Sequence, residues 1–418
     1  MLLRRARTFR RLWIGQSVSV IGDGMQRIAL LWWAKHHGGN ALLAAIALST
    51  VVPVVAGSPI GGWLADRADR RRLLLGADLV RLGSTSTLAV LLFGGNPSSV
   101  VVCALVVVAG FATSVFDPTY ATAVPSVVAE VDLPAANGLN MANGAIGGLA
   151  GPLLGGVLIG VFDLGWVMVI NAATFAWSAG CIASIRLPQR PGALVDEGAD
   201  AATPSPRRTL SLVRSDRRVV RLVGLGSVVN MVVAPVPMLI VALAVDRFHT
   251  GAAAFGLLEI MVSVGILIGA LTAPRLARGP IAAPLLVMGS CIVAAGSLPL
   301  IGSAGAFVLL GIAVAVANTS IITMLQLAVP DEMRGRVFGV VGALGEGLRP
   351  AGLALGAPLL AAGGVRGAFA VVGGCVVLAT LAWGRIGAPI AAAPSAGGVA
   401  ALAAVALDGE AYELVDEG

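Results

Sequence analysis

The chain has 418 residues, of which 57% are hydrophobic and only 12% charged, and its formal net charge is +6. A soluble domain carries about 25% charged residues, so this composition excludes a soluble globular protein and points to a polytopic membrane protein. The surplus Arg residues sit beside apolar runs with no aromatic interleaving, which argues against a nucleic-acid partner and assigns the basicity to membrane topology.

Taken in order, the chain opens on Arg4, Arg5, Arg7, Arg10 and Arg11 before a long apolar run. That run, about 12–34, has the length of a full span and lacks a cleavage pattern, so it reads as a helix and not as a signal peptide. Eleven further runs of roughly 20 residues can cross a bilayer: about 43–65, 73–94, 99–118, 137–160, 164–186, 219–245, 252–274, 281–302, 304–327, 337–361 and 366–386. The expectation is an all-α protein with twelve transmembrane helices in two six-helix pseudo-repeat bundles. Residues 1–186 form the first bundle and 219–386 the second. Residues 187–218, rich in Pro and charge, make a solvated linker, and 387–418 a loose tail. Of the 28 Lys and Arg residues, 22 fall on the side of the N-terminus, three on the other side and three inside spans. That bias predicts a cell-membrane protein with both termini in the cytoplasm.

Cys103, Cys181, Cys291 and Cys375 lie far apart in apolar runs without CxxC spacing, so neither a metal site nor a disulfide framework is indicated. No cofactor is expected, and no GxxxxGK[ST] signature suggests direct use of ATP. The three histidines, His36, His37 and His249, fall in links between spans, which leaves little for an intramembrane enzyme. A channel also lacks support, since no re-entrant filter-like segment occurs.

Between the second and third runs stands Gly62-Trp63-Leu64-Ala65-Asp66-Arg67-Ala68-Asp69-Arg70-Arg71-Arg72, with six charges in seven residues. A plain reading is a basic loop that fixes orientation. The spacing of Gly62, Asp66, Arg67 and Arg70 also resembles the signature between the second and third spans of the major facilitator superfamily, with Asp69 where a Gly is usual. That resemblance implies a gate in which the Gly lets helices approach and Asp66, Arg70 and Asp117 form a charge relay. In the fifth run, Gly138, Gly147, Gly151, Pro152, Gly155 and Gly156 resemble the antiporter motif of that superfamily. Generic small-residue packing is the alternative. The openings Phe9-Arg10-Arg11-Leu12-Trp13 and Val329 through Phe338 are similar to the macrolide-efflux-like branch. The sequences Ala123-Val124-Pro125 and Ala328-Val329-Pro330 echo each other at an offset of 205 residues, as a parallel repeat implies. The fourth run lacks the Arg found in many proton-coupled members, so coupling through that residue does not carry over.

Ionisable groups inside spans cost about 2.5–3.5 kcal/mol each on insertion scales and are functional candidates by default. Each intraspan Arg has an acid one turn earlier: Asp23 with Arg27, Asp78 with Arg81, Glu346 with Arg349. That spacing predicts self-neutralisation within one helix, although Asp23, Arg27, Glu346 and Arg349 also lie deep enough to line a central cavity. Glu259 has no cation within one turn of its own helix and is the foremost proton carrier or cationic-substrate partner. Asn230, Asn318 and Gln326 are further polar groups at depth. The reading is a monomeric alternating-access exporter of an amphipathic, drug-like small molecule, with protons as the coupling ion. The alternative is a dedicated exporter of an endogenous metabolite such as a siderophore or natural product.

Overall fold

The structure, a computed structural model, describes residues 2–95, 97–129, 132–187, 217–276, 280–328 and 344–384. Most of the linker over 187–218, the tail over 387–418 and the second half of the Ala-Val-Pro echo lie outside the described residues. So do the start of the eleventh run and the side chains of Asp66 and Gln326.

Regular structure among the described residues is helical. A four-residue turn, α1 (Leu2–Arg5), precedes α2 (Arg7–Arg67), α3 (Arg70–Phe93), α4 (Ser99–Ala123), α5 (Leu133–Val161) and α6 (Leu164–Ala183). After the linker come α7 (Arg217–Val233), α8 (Val236–Ala242) and a π-helical turn over Leu243–Arg247. Then follow α9 (Ala252–Leu276), α10 (Ala282–Ser297), α11 (Leu300–Ala328) and α12 (Arg349–Gly384). Among the described residues, nine helices are long and apolar enough to cross a membrane, and Ala282–Ser297 is a shorter apolar one.

Two of these helices are doubled. At 61 residues, a straight α2 would run about 90 Å at 1.5 Å per residue, three times the hydrocarbon thickness of a bilayer. It breaks at Gly39, with φ 59° and ψ −146°, a backbone state that a side chain would strain. Its two ends then meet. Arg11 near its start and Arg71 just beyond its end both donate to carbonyls at the C-terminus of α6, Ser184 and Ala183. α2 therefore folds back on itself at Gly39. α12 does the same at Gly364 (φ 60°, ψ −169°). Before that break Gly352 packs on Met231, and after it Phe369 packs on Gly296 and Trp383 on Gly224.

We call the end that carries Arg7, Arg67 and Arg70 the basic end, and the end with Gly39 and Gly364 the far end. α2 packs on α4, α5 and α6, while α3 packs on α4 and α6. In the second half of the sequence α9 packs on α11, α10 on α11 and α12, and α12 on α7. Three contacts join the sets: α5 with α9, α2 with α12, and α2 with α8. The largest apolar cluster spans both sets, running from Met25–Ile46 to Val236–Ala244 with Phe255, Phe307 and Phe369. The two clusters at the basic end, around Leu12 with Phe116 and around Phe9 with Val124, use residues of the first half alone. Among the described residues the apolar seal between the halves therefore lies toward the far end.

Candidate functional site

α2 carries two of the intraspan charges, and the structure gives them different partners from those the spacing predicted. Arg27 Nη2 donates to Glu259 Oε2 on α9 at 3.1 Å. Glu259 is 7% exposed, and its other carboxylate oxygen, Oε1, is buried without a hydrogen-bond partner. Asp23 looks instead toward Arg81 on α3, with Oδ2 3.9 Å from Nη1. The expected Asp23–Arg27 pair is thus corrected. A contact along one helix is worth only about 0.2–0.5 kcal/mol, and a carboxylate supplied by a facing helix displaces it.

Arg81 is the centre of a sealed cluster. It pairs with Asp78 Oδ1, as the three-residue spacing predicted, and both residues are almost fully buried. Its guanidinium lies between two rings, 4.1 Å from the Phe116 centroid on α4 and 4.7 Å from that of Phe175 on α6. Stacking of this kind suits the weakly hydrated plane of Arg. Ser178 stands beside Asp78, and Asn171 beside Asp23. Asn171 donates to Gln26 Oε1 at 2.7 Å, and Thr85 shares that acceptor at 3.2 Å. Asp117 on α4 feels the Arg81 charge and is exposed. The expected relay placed Asp117 beside Asp66 and Arg70; its electrostatic partner among the described side chains is Arg81. Phe116, next to Asp117 in sequence, and Phe175 escape a sequence reading, because nothing in a linear pattern announces a ring from another helix.

At the basic end, Arg70 is half-buried at the start of α3, and the Arg67 guanidinium stacks over Trp63 at 4.7 Å. Asp69, the departure from the usual pattern, has a local role as the N-cap of α3, accepting from Arg72 N at 3.0 Å. Such a cap is worth about 1 kcal/mol. The close approach expected at Gly62 occurs one residue earlier. No described atom lies within 4 Å of where a Gly62 side chain would begin, whereas one on Gly61 would collide with the Ser114 and Val115 backbone of α4.

The glycines of α5 sort onto two faces. Gly147, Gly151 and Gly155 lie against Val20, Gly24 and Met25 of α2, and a Cβ on Gly151 would sit 2.6 Å from the Gly24 Cα. Gly148, Pro152 and Gly156 lie against α9, where Gly156 faces Gly256 and the Ser263 hydroxyl donates to the Gly148 carbonyl at 2.7 Å. These two i, i+4 rows let α5 sit tightly between the helices that hold Arg27 and Glu259. Gly138 takes no part: it is exposed and meets no described neighbour.

In the second half a cavity of about 420 Å³ opens between α7, α10, α11 and the residues just before α12. Its wall is apolar, with Val229, Leu285 and Met288 among the lining residues, and its polar groups are Ser227, Asn230, Asn318 and Glu346. The Asn230 amide donates to the Gly345 carbonyl at 2.9 Å. Glu346 accepts from Arg349 at 2.8 Å and so keeps its expected local partner, as Asp78 does. A volume within about 300–1,000 Å³ and mostly apolar walls are what a small-molecule site requires.

The far end holds groups that no motif in the sequence singles out. Lys35, the one lysine of the chain, binds Asp246 Oδ2 at 2.5 Å and Asn40 Oδ1 at 2.6 Å, joining α2 to the π-helical turn. The neighbouring Arg247 donates to the last carbonyls of α10, those of Gly296 and Ser297. A cation at a helix C-terminus is stabilising there.

A family model for the Major Facilitator Superfamily matches residues 12–349. Macrolide efflux protein A of Streptococcus pyogenes is 23% identical over 84% of this chain and 88% of its own length. Multidrug efflux pump Tap of Mycolicibacterium fortuitum is 26% identical over 83% and 88%. Among solved structures, the nucleoside transporter NupG superposes with a TM-score of 0.72 at 13% identity, covering 90% of this chain and 99% of that one. A bacterial homologue of the lysosomal transporter Spinster gives 0.70 at 15% identity, over 90% and 96%. At those identities the structural likeness concerns the fold.

Proposed function

The chain belongs to the major facilitator superfamily, and from that premise we propose that it exports an amphipathic, drug-like small molecule by alternating access, driven by proton antiport. The Arg27–Glu259 ion pair carries this reading. It joins a helix of the first half to one of the second at depth, between helices whose glycine rows allow close sliding. Neutralising Glu259 takes the partner from Arg27, whose side chain is 38% exposed, so the loss is smaller than the about 3–5 kcal/mol of a fully buried pair, yet it biases a two-state equilibrium between the halves. In this reading Glu259 accepts a proton, releases Arg27, and so weakens the contact between α2 and α9.

The relatives' names, macrolide and multidrug pumps, favour a drug-like substrate over an endogenous metabolite. The cavity lined by Asn230, Asn318, Glu346 and Met288 is the proposed seat of the substrate body. The protein would work as a multi-pass cell-membrane monomer with twelve spans. Counting the arms of α2 and α12 separately and adding the short α10 supports that number. Residues 1–186 and 219–386 would be its two moving bundles. The basic end is assigned to the cytoplasm on the distribution of Lys and Arg. The seal across the far end then corresponds to an inward-open state, and Lys35–Asp246 to part of its outer closure. Gly62, Asp66, Arg67 and Arg70 are assigned to the inner gate that forms when the halves rock. Asp117 would join that gate through the Arg81 cluster.

The test is efflux of a fluorescent drug from cells expressing the chain, with the proton gradient intact and then collapsed, beside Glu259→Gln. The expected result is loss of efflux in both cases with membrane insertion unchanged. Efflux that survives in Glu259→Gln would remove that carboxylate from the coupling step. Asp66→Asn is likewise expected to stop export without loss of insertion, and wild-type export by that variant would sink the gate assignment.

A further inference from the structure

Arg27 lies between two carboxylates. Glu259, across the junction of the halves, holds it now at 3.1 Å. Asp23, four residues earlier on α2, lies on the same helix face, where side chains meet at roughly 5–6 Å between Cβ atoms. Asp23 is only loosely engaged, 3.9 Å from Arg81, and its side chain is 43% exposed. Other charged groups face these two sites unequally. Asp23 is surrounded by Arg81 and Asp78 of α3 and Asp117 of α4, so three carboxylates share one guanidinium. Around Glu259, the packed helices α5, α8 and α11 carry no charged residue. The π-helical turn supplies Asp246 and Arg247 only at the far end. Among the described residues Arg27 is therefore the cation that pairs with Glu259, while Asp23 sits in a neighbourhood with surplus negative charge.

We propose that Arg27 exchanges carboxylates during the transport cycle, leaving Glu259 when that group takes up a proton and pairing with Asp23 one turn away, beside Arg81. The exchange rests on the proton-antiport reading above and adds a role for Asp23 and Arg81 that protonation of Glu259 alone does not require. Atoms and charge balance. One proton moves onto a Glu259 oxygen, one ion pair breaks, and the freed guanidinium joins the carboxylate of Asp23. The released bond is between halves and the new one within a helix, so the exchange converts proton binding into a loosened junction. Arg81 and Asp23 act as positioning residues, since neither need touch the substrate.

The experiment follows the separation of the two halves at the far end. Spin labels are placed at Ser98 and Pro299, exposed positions before α4 and α11, in the full-length chain with its four cysteines replaced. Distance distributions are recorded by pulsed electron paramagnetic resonance in liposomes. Asp23→Asn removes the second partner, leaves Arg27 on Glu259 and is expected to enrich the short, closed distance. Glu259→Gln imitates the protonated carboxyl, sends Arg27 to Asp23 and is expected to enrich the long one. Asp23→Glu keeps the charge and should restore the wild-type distribution and efflux, which a folding defect at this site would not allow. Gradient-driven efflux by Asp23→Asn should fall at least about tenfold, the factor that 1.4 kcal/mol represents. Shifts in the same direction for the two variants, or wild-type efflux by Asp23→Asn, would overturn the exchange. Opposite shifts with efflux indifferent to the proton gradient would support the exchange while removing the antiport reading on which it was built.

Discussion

Around Arg81, three carboxylates from α2, α3 and α4 crowd one guanidinium clamped between two aromatic rings. In the cavity between α7, α10, α11 and the residues just before α12, two amides, a hydroxyl and one already paired carboxylate stand in an apolar wall. The first region is dense in charge around the buried Asp78–Arg81 pair; the second is nearly neutral and open. A low-dielectric interior makes unpaired charge costly, so the charged region must be tightly held, whereas an apolar cavity can admit ligands of varied shape. On the proposed reading the first half contributes a charge cluster and the second half a ligand volume. α2 reaches the second half through Arg27, which pairs with Glu259 on α9.

The largest effect that would break this contrast should come from Arg81→Leu. It strips the counter-ion from Asp78, which is 0% exposed, and is expected to cost about 3–5 kcal/mol. The melting temperature in detergent would fall sharply, and adding Asp78→Leu should recover much of the loss, because a pair of apolar groups replaces a pair of charges. Failure of the double variant to recover would mean that Arg81 matters for the rings and not for the acids.

On the other side, Met288→Trp fills the cavity and leaves every charged group in place. Substrate affinity should weaken about tenfold, or 1.4 kcal/mol, while the dependence of the remaining efflux on the proton gradient stays unchanged. A lost gradient dependence would show that the two regions are not separable.

The smallest effect sharpens the picture at the basic end. Asp69→Ala removes the α3 cap and should cost about 1 kcal/mol of stability, whereas Asp69→Gly should cost only a few tenths. Larger losses of export than of stability would give Asp69 a part in the gate.

Helix identity was legible in the sequence because hydropathy and length alone select membrane-capable helices. The Asp78–Arg81 and Glu346–Arg349 pairs were legible too, since i, i+3 spacing fixes neighbours on a helix. The pairing of Arg27 with Glu259, 232 residues apart, was not, because the choice between a partner one turn away and one on another helix depends on which faces meet. The same reason hid the Phe116–Arg81–Phe175 stack and the Lys35–Asp246 pair. The fifth-helix motif was visible as six positions, yet its division into one row toward α2 and another toward α9 became clear only from the packing. Gly62 shows the reverse case. Its motif position predicted a close approach that Gly61 makes in this conformation, since a one-residue step around a helix turns the contact by about 100°.

Gly39 and Gly364 also bear on how the chain enters the bilayer. Each marks a reversal made with a single non-helical residue, so the two arms of α2, and likewise of α12, have almost no connecting loop between them. A turn that tight favours insertion of the two arms as one hairpin, with Lys35, His36, His37 and Asn40 carried at its tip. The same tightness leaves proteases and antibodies on the far side little exposed chain to grip.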